Sequence, residues 1–356
     1  MIRQRGENFF CTTGYQPLAK RAWASCPCYI LLLCVISSQA FAEQWTSRVR
    51  GSWVADENDQ NGVVLAAKDS ICEIVIDPKE PSNVQVAATF LQGDLEKITG
   101  RKPAIVGKGH DDRAQIVLGT APMDDGNSQK WPWTFGRGDW EAFQIRTGQN
   151  AVYLMGSNPR GTAFAVYTLS ERLGVDPLYL WTGYRPERHE KLVMKETDYS
   201  SGPPTVKYRG MFHDDEDILP RPFEPTGYPN RLGDVPTEWY KKYFETALRL
   251  KVNMVAPYTR VHRRHEVQKL ASDWGLFYTS HHYDILLSNP FGMTRYGLAE
   301  QRQSGTNWNW QENREGLLRY WRGGVEENKD INCIWPVALR GTDDTGYRFA
   351  KGTTEA

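Results

Sequence analysis

Three short polar clusters hold most of the side chains in this chain that could move protons or hold a charged ligand. They read RGMFHDDED (Arg209–Asp217), YTSHHYD (Tyr278–Asp284) and PVALRGTDD (Pro336–Asp344). Each begins as an apolar or aromatic run and stops at a knot of Asp, Glu, His or Arg. Carboxylates and imidazoles exchange protons with a reacting bond, and a guanidinium fork matches a carboxylate. Helix-patterned segments separate the clusters. This is the layout of a parallel βα barrel, whose C-terminal strand ends line one mouth. The clusters are therefore expected to meet in space, although they lie far apart in sequence.

The segments that must position them follow a regular rhythm. From Gln44 to about Thr197 the pattern is a small α/β domain. Ile71–Ile76 reads as a β-branched strand, and Pro81–Thr99 as a helix with Val84, Ala87, Ala88, Leu91, Leu95 and Ile98 on one face, stopped by Gly100. Gln115–Gly119 is a short buried strand. Phe143–Thr147 and Ala151–Gly156 bracket a hairpin turn at Gly148-Gln149-Asn150, and Pro159 opens a helix that Gly174 ends. Ser201-Gly202-Pro203-Pro204 is the linker. Strands at Tyr208–Phe212, Val252–Pro257, Leu276–Thr279 and Cys333–Leu339 then alternate with helices at Thr237–Leu250, Val261–Trp274 and Glu312–Val325. Such alternation means a parallel sheet with right-handed crossovers. The expected fold is α/β: a small N-terminal α/β domain followed by the first half of a (β/α)8 TIM-type barrel. The expected boundaries are a leader at 1–42, the α/β domain at 43–200, and a barrel at 201–356 cut short after about four strands.

The leader is read from Arg3, Arg5, Lys20 and Arg21, the apolar run Tyr29–Ile36, and the Ala40-Phe41-Ala42 cleavage pattern. It predicts a secreted or periplasmic protein, with no membrane contact once the leader is removed. The apolar run is short of the ~20 residues a spanning helix needs. Four of the six cysteines, Cys11, Cys26, Cys28 and Cys34, fall in that leader, leaving Cys72 and Cys333 as two lone thiols and no zinc site. With 43 basic and 43 acidic residues, no net field favours nucleic acid. The 13 Trp and 17 Tyr suit sugar stacking, although most are expected to fill cores. Gly-rich phosphate signatures, G-x-S-x-G and H-E-x-x-H are all absent.

Ser157–Val175 (SNPRGTAFAVYTLSERLGV), followed by Trp181–Arg188 (WTGYRPER), is similar to the end of the N-terminal domain of glycoside hydrolase family 115. Val206–Asp217 resembles that family's first barrel strand; Leu248–Pro257, Phe277–His282 and Ala338–Gly341 resemble the next three. Each string is weak, but the ordered set spans nearly the whole mature chain. The resemblance implies a xylan α-1,2-glucuronidase that removes glucuronic acid or its 4-O-methyl ether with inversion. Its expected partner is a glucuronoxylan-like polysaccharide and, for the full-length form, a second copy of itself. Family members are much longer, completing the barrel and adding C-terminal domains. No cofactor or metal is expected. The chain departs from the family near the chemistry. Asp214-Asp215-Glu216 stands where N-D-E is common, His281-His282-Tyr283 where H-H-E is common, and Thr345 replaces the last Glu of R-G-D-G-D-E.

Under that resemblance, inverting hydrolysis needs a carboxylic acid and a carboxylate roughly 6.5–9.5 Å apart. Different strand ends can supply that gap: Glu216 or Asp215, paired with Asp343 or Asp344. Crowding in Asp214–Asp217 would raise at least one pKa, as a general acid wants. A solvated turn or helix start is the competing reading, and it is preferred for Asp214 and Asp217. The catalytic candidates are Asp215, Glu216 and Asp344; the substrate-binding candidates are His281, His282, Arg340, Asp343 and Tyr258. Adjacent strand residues point to opposite faces, so His281 and His282 cannot both enter the mouth unless the strand has ended. They are read as sugar contacts or carboxylate orienters, with a structural His as the competitor. Arg340 would read a uronate carboxylate; a salt bridge to Asp343 or Asp344 competes. Two further readings stay open: a non-catalytic carbohydrate-binding relic, and a hydrolase for another uronic-acid glycan. An open half-barrel exposes strand edges, so the polypeptide alone is expected to be poorly soluble or inactive.

Overall fold

The computed structural model describes residues 51–121, 135–136, 138–213, 237–257, 264–280, 284–295 and 297–337. The chain begins with a hairpin of β1 (Val63–Ala67) and β2 (Ser70–Ile71), then changes sheets at Cys72 into β3 (Glu73–Ile76). The apolar run Ile71–Ile76 is thus two strands rather than one. Cys72 N–H still bonds back to Leu65 O at 2.8 Å, while Glu73 N–H already bonds Ala114 O at 2.9 Å. Helix α1 (Ser82–Thr99) buries the expected stripe, and Gly100 ends it in the left-handed region, φ 73°.

Next come β4 (Ile105–Val106), β5 (Gln115–Thr120) and the hairpin β6 (Phe143–Gly148) and β7 (Ala151–Gly156). Asn150, at φ 58°, makes the hairpin's turn. Helix α2 (Pro159–Arg172) starts where Asn158 Oδ1 accepts the Gly161 N–H at 2.9 Å, with Pro159 in the first turn. A single turn α3 (Tyr179–Thr182), β8 (Leu192–Met194) and β9 (Asp198–Ser201) complete this layer. One sheet has the order β4-β3-β5-β7-β6-β9, parallel as far as β7 and antiparallel beyond; β2-β1-β8 form a small antiparallel sheet beside it.

The second half alternates β10 (Gly210–His213), α4 (Thr237–Arg249), β11 (Met254–Pro257), α5 (Arg264–Asp273) and β12 (Phe277–Tyr278). The strands form a parallel sheet in the order β10-β11-β12, with His213 opposite Pro257 and Met254 opposite Phe277. Two short helices that the pattern did not predict, α6 (Pro290–Arg295) and α7 (Leu298–Gln301), precede α8 (Arg314–Asn328). The strand expected at Cys333–Leu339 is, over its described residues, a single parallel bridge from Cys333 to Tyr278. Past it, the Pro336 carbonyl accepts the Leu286 N–H at 2.8 Å, and proline has no N–H for a ladder. The mixed α/β class is as expected.

The core does not stop at the linker. Buried residues from Val63 to Leu287 form one cluster. At the junction, Phe90 of α1 meets Trp274 edge-on at 5.2 Å. Arg249 of α4 forks onto buried Asp94 of α1 at 2.8 and 3.0 Å. A satellite cluster of Ile285, Met293, Ala299, Leu317, Tyr320 and Trp321 lies under the connection between β12 and α8.

Candidate active site

The two edges of the β10–β12 sheet differ in chemistry. At the N-terminal edge, buried Glu141 accepts from Arg160 Nε at 2.6 Å, Arg209 Nη2 at 2.6 Å and Asn253 Nδ2 at 2.9 Å. Asn253, fully buried just before β11, also accepts the Arg209 N–H at 2.8 Å. The Arg160 guanidinium lies 4.7 Å from the Trp140 ring and 4.4 Å from Phe277. One buried carboxylate held by two guanidiniums and an amide is fully hydrogen-bonded, which offsets its desolvation. At this end of parallel strands, such a hub serves stability rather than turnover.

The C-terminal edge is where the chemistry is expected. His213, the last residue of β10, packs its ring edge-on against Trp239 at 4.9 Å and Tyr243 at 5.5 Å of α4. Its neighbour Phe212 points the other way and is 53% exposed. Beyond β12, the Thr279 N–H holds Val255 O at 2.9 Å. Ser280 Oγ donates to the carboxylate of buried Asp284, whose carbonyl accepts the Leu287 N–H at 2.9 Å. Sequence reasoning leaves Asp284 off the candidate roster. Its signal, an acid six residues past an aromatic strand end with a serine between, was in the string.

All eight candidates fall outside the described residues: Asp215, Glu216 and Asp344 for acid–base work, and Tyr258, His281, His282, Arg340 and Asp343 for substrate. What is described is the frame from which each departs. Positions 214–217 follow β10, 258 follows β11, 281–282 come soon after β12, and 340–344 come after the segment bridged through Cys333. The three strands are consecutive neighbours running the same way.

Elsewhere, the two thiols are free; burial pushes Cys72 up to about 12 and Cys333 up to about 11. Among the described residues, no group of three or more His, Cys, Asp or Glu is placed to hold a metal ion. Among them, too, no helix is long and apolar enough to cross a membrane. A cavity of about 440 Å³ opens in the first layer, beside Ser70, Arg101 and Arg113. It involves no residue of the β10–β12 sheet, so we do not place the chemistry there.

Consecutive parallel βα units recur in α/β enzymes whose ligand sits beyond the C-terminal ends of the strands. Residues 201–355 match the model of glycosyl hydrolase family 115. A solved family 115 4-O-methyl-α-glucuronidase with specificity for decorated arabinogalactans is similar over 81% of this chain, with TM-score 0.67 and 20% identity. The match covers 38% of that chain, so this chain spans well under half of its length. A Flavobacterium johnsoniae chitobiase (TM-score 0.40, 13% identity, 62% of this chain and 32% of that one) and a Streptomyces coelicolor β-N-acetylhexosaminidase (0.41, 14%, 62% and 42%) also align. No curated protein matches the sequence.

Proposed function

We propose that the chain is part of a secreted, inverting α-glucuronidase that removes glucuronic acid or its 4-O-methyl ether from a polysaccharide. One observation carries the reading. Strands β10, β11 and β12 and the Cys333 segment are consecutive parallel neighbours. The acids, imidazoles and guanidinium of the three clusters follow those strand ends in the sequence. In this reading the βα units are the opening part of a (β/α)8 barrel at 201–356, built onto an α/β domain at 43–200. Asp215 or Glu216 works opposite Asp343 or Asp344, His281, His282 and Tyr258 contact sugar, and Arg340 takes the uronate carboxylate. The leader 1–42 is removed, leaving Glu43 first.

A second polymer competes with glucuronoxylan. The solved 4-O-methyl-α-glucuronidase has specificity for decorated arabinogalactans. The loss of Glu at Thr345 and the His-His-Tyr in place of His-His-Glu also point away from an unchanged xylan site.

The test is to incubate the natural full-length protein with both polymers and follow released uronic acid by anion exchange and proton NMR. Release of the β-anomer first, from either polymer, supports the reading and chooses the substrate. No release from either ends it. Intact mass of the exported protein checks the cut after Ala42.

A further inference from the structure

We infer that the loop between α7 and α8 carries a second carbohydrate contact, which takes an acidic sugar residue of the polymer away from the bond being cut. The inference rests on the hydrolase reading above and adds where a neighbouring part of the chain is held. The loop contains Trp308 and Trp310 and ends at Arg314, the first residue of α8. Trp310 stacks on Trp321 with centroids 5.7 Å apart and planes 16° from parallel. Trp308 meets Trp321 edge-on at 6.0 Å. Trp321 belongs to the buried satellite cluster, whereas Trp308 and Trp310 pack against it and are only half-buried.

A cation is already aligned with this surface. The Arg314 guanidinium lies 5.2 Å from the Trp310 centroid. It is exposed, and among the described residues no carboxylate pairs with it. The other basic recess, the first-layer cavity, is different: Arg101 is held by the Glu190 carbonyl at 3.1 Å, and Arg113 lies 3.7 Å from Glu73.

The loop is also locked before any ligand arrives. Asn309 Oδ1 accepts the Gln311 N–H at 3.0 Å, and Asn313 Nδ2 donates to Asn307 O at 2.8 Å and Ser304 O at 3.0 Å. Pre-ordering of this kind lowers the entropy lost on binding. Its place suits substrate too. The loop belongs to the connection leaving β12, so Arg314 opens α8 on the side where the strands end. The Leu286 to Pro336 hydrogen bond ties the same connection to that edge.

A uronate offers an apolar C–H face and a planar carboxylate. Indole surface suits the first and a guanidinium fork the second. A neutral sugar would leave Arg314 unmatched.

The test uses the whole chain and two probes, glucuronoxylan and the same polymer after carboxyl reduction, with binding read by affinity electrophoresis. The parent is expected to bind the acidic form about tenfold more tightly, the scale of a charge-assisted hydrogen bond. With Arg340→Gln in the background to silence the uronate contact proposed at the cleavage site, Arg314→Gln is expected to erase that preference, and Trp310→Ala to weaken binding of both polymers. Arg314→Gln removes no buried group, so it decides the matter if Trp310→Ala fails to fold. A preference that survives Arg314→Gln, or a parent that does not distinguish the polymers, overturns the site. Uronate release by the full-length protein is scored separately. Release with an unchanged preference in Arg314→Gln sinks this contact alone; an Arg314-dependent preference without release keeps the contact and sinks the hydrolase.

Discussion

Single ionic side chains hold the two halves of this molecule together. Arg249 has 2% of its side chain exposed, yet it keeps its charge. Burial alone would lower its pKa, but the Asp94 charge and hydrogen bonds outweigh that and hold it above the usual arginine value. Lys97 also holds Asp94 at 3.1 Å and Glu245 also holds Arg249 at 2.8 Å, so removing one partner leaves the other partly paired, and Asp94→Asn or Arg249→Met is expected to cost about 3 kcal/mol, the low end for a broken buried pair, in urea unfolding. The double variant should recover part of that loss. A second carboxylate reports on pH. The His110 ring bond, opposed by burial and helped by the His110 N–H, holds Glu73 below its ordinary value of 4.5. An acid lowered by folding stabilises above its unfolded pKa and loses that contribution as pH falls through the folded one. Unfolding midpoints measured from neutral pH down past pH 4.5 should therefore fall more steeply in the parent than in Glu73→Gln. The thiols behave oppositely to reactive cysteines. With pKa values pushed up to about 12 and about 11, Cys72 and Cys333 should resist iodoacetamide at pH 8 in the native chain and react after unfolding. Peptide mapping reads this directly.

Between elements, one very close approach is backbone on backbone. A Cβ at Gly156 would lie 2.0 Å from the Thr162 nitrogen, and one at Gly161 would lie 2.5 Å from the Ala142 oxygen. Strand β7 and helix α2 touch there with no side chain between them. Gly156→Ala must push the helix away and should cost about 1–3 kcal/mol or more in chemical unfolding. The sequence showed the helix start, because Asn158-Pro159 is a local signal, but gave no hint of this contact, which depends on a partner over the turn. The same distinction runs through the other elements. The α1 stripe, the β6–β7 turn and the alternation as far as β12 all rest on local signals, and all stand in the structure. The split of Ile71–Ile76 between two sheets depends on which neighbours accept at Leu65 and Ala114, so six residues, five of them β-branched or apolar, look like one strand. The fourth parallel run depends on Pro336 being claimed by the β12 connection, and the short helices α6 and α7 are too brief to show a period.

At the scale of the molecule, the expected linker at Ser201–Pro204 is visible as composition, but the core ignores it. Buried side chains of both halves form one cluster, and Arg50–Ala356 behaves as a single compact unit. Calorimetry is expected to show one transition for that unit, with Asp94→Asn lowering it as a whole rather than splitting it. The candidate site was legible only as clusters on strand ends. Its frame, three parallel strands with a bridged fourth, is in place, whereas the pairing of the acids depends on side chains that no local pattern fixes.

The Asp94–Arg249 fork also sets an order of events during synthesis. Its two ends are 155 residues apart. At about 5–20 residues per second, a ribosome needs about 8–30 s to deliver the arginine after the aspartate has emerged. Until then the carboxylate on α1 has Lys97 of the same helix, at 3.1 Å, and water, and the helix lacks its buried partner. The first layer therefore leaves the ribosome unfinished, its last helical contact waiting for a cation from the layer that follows.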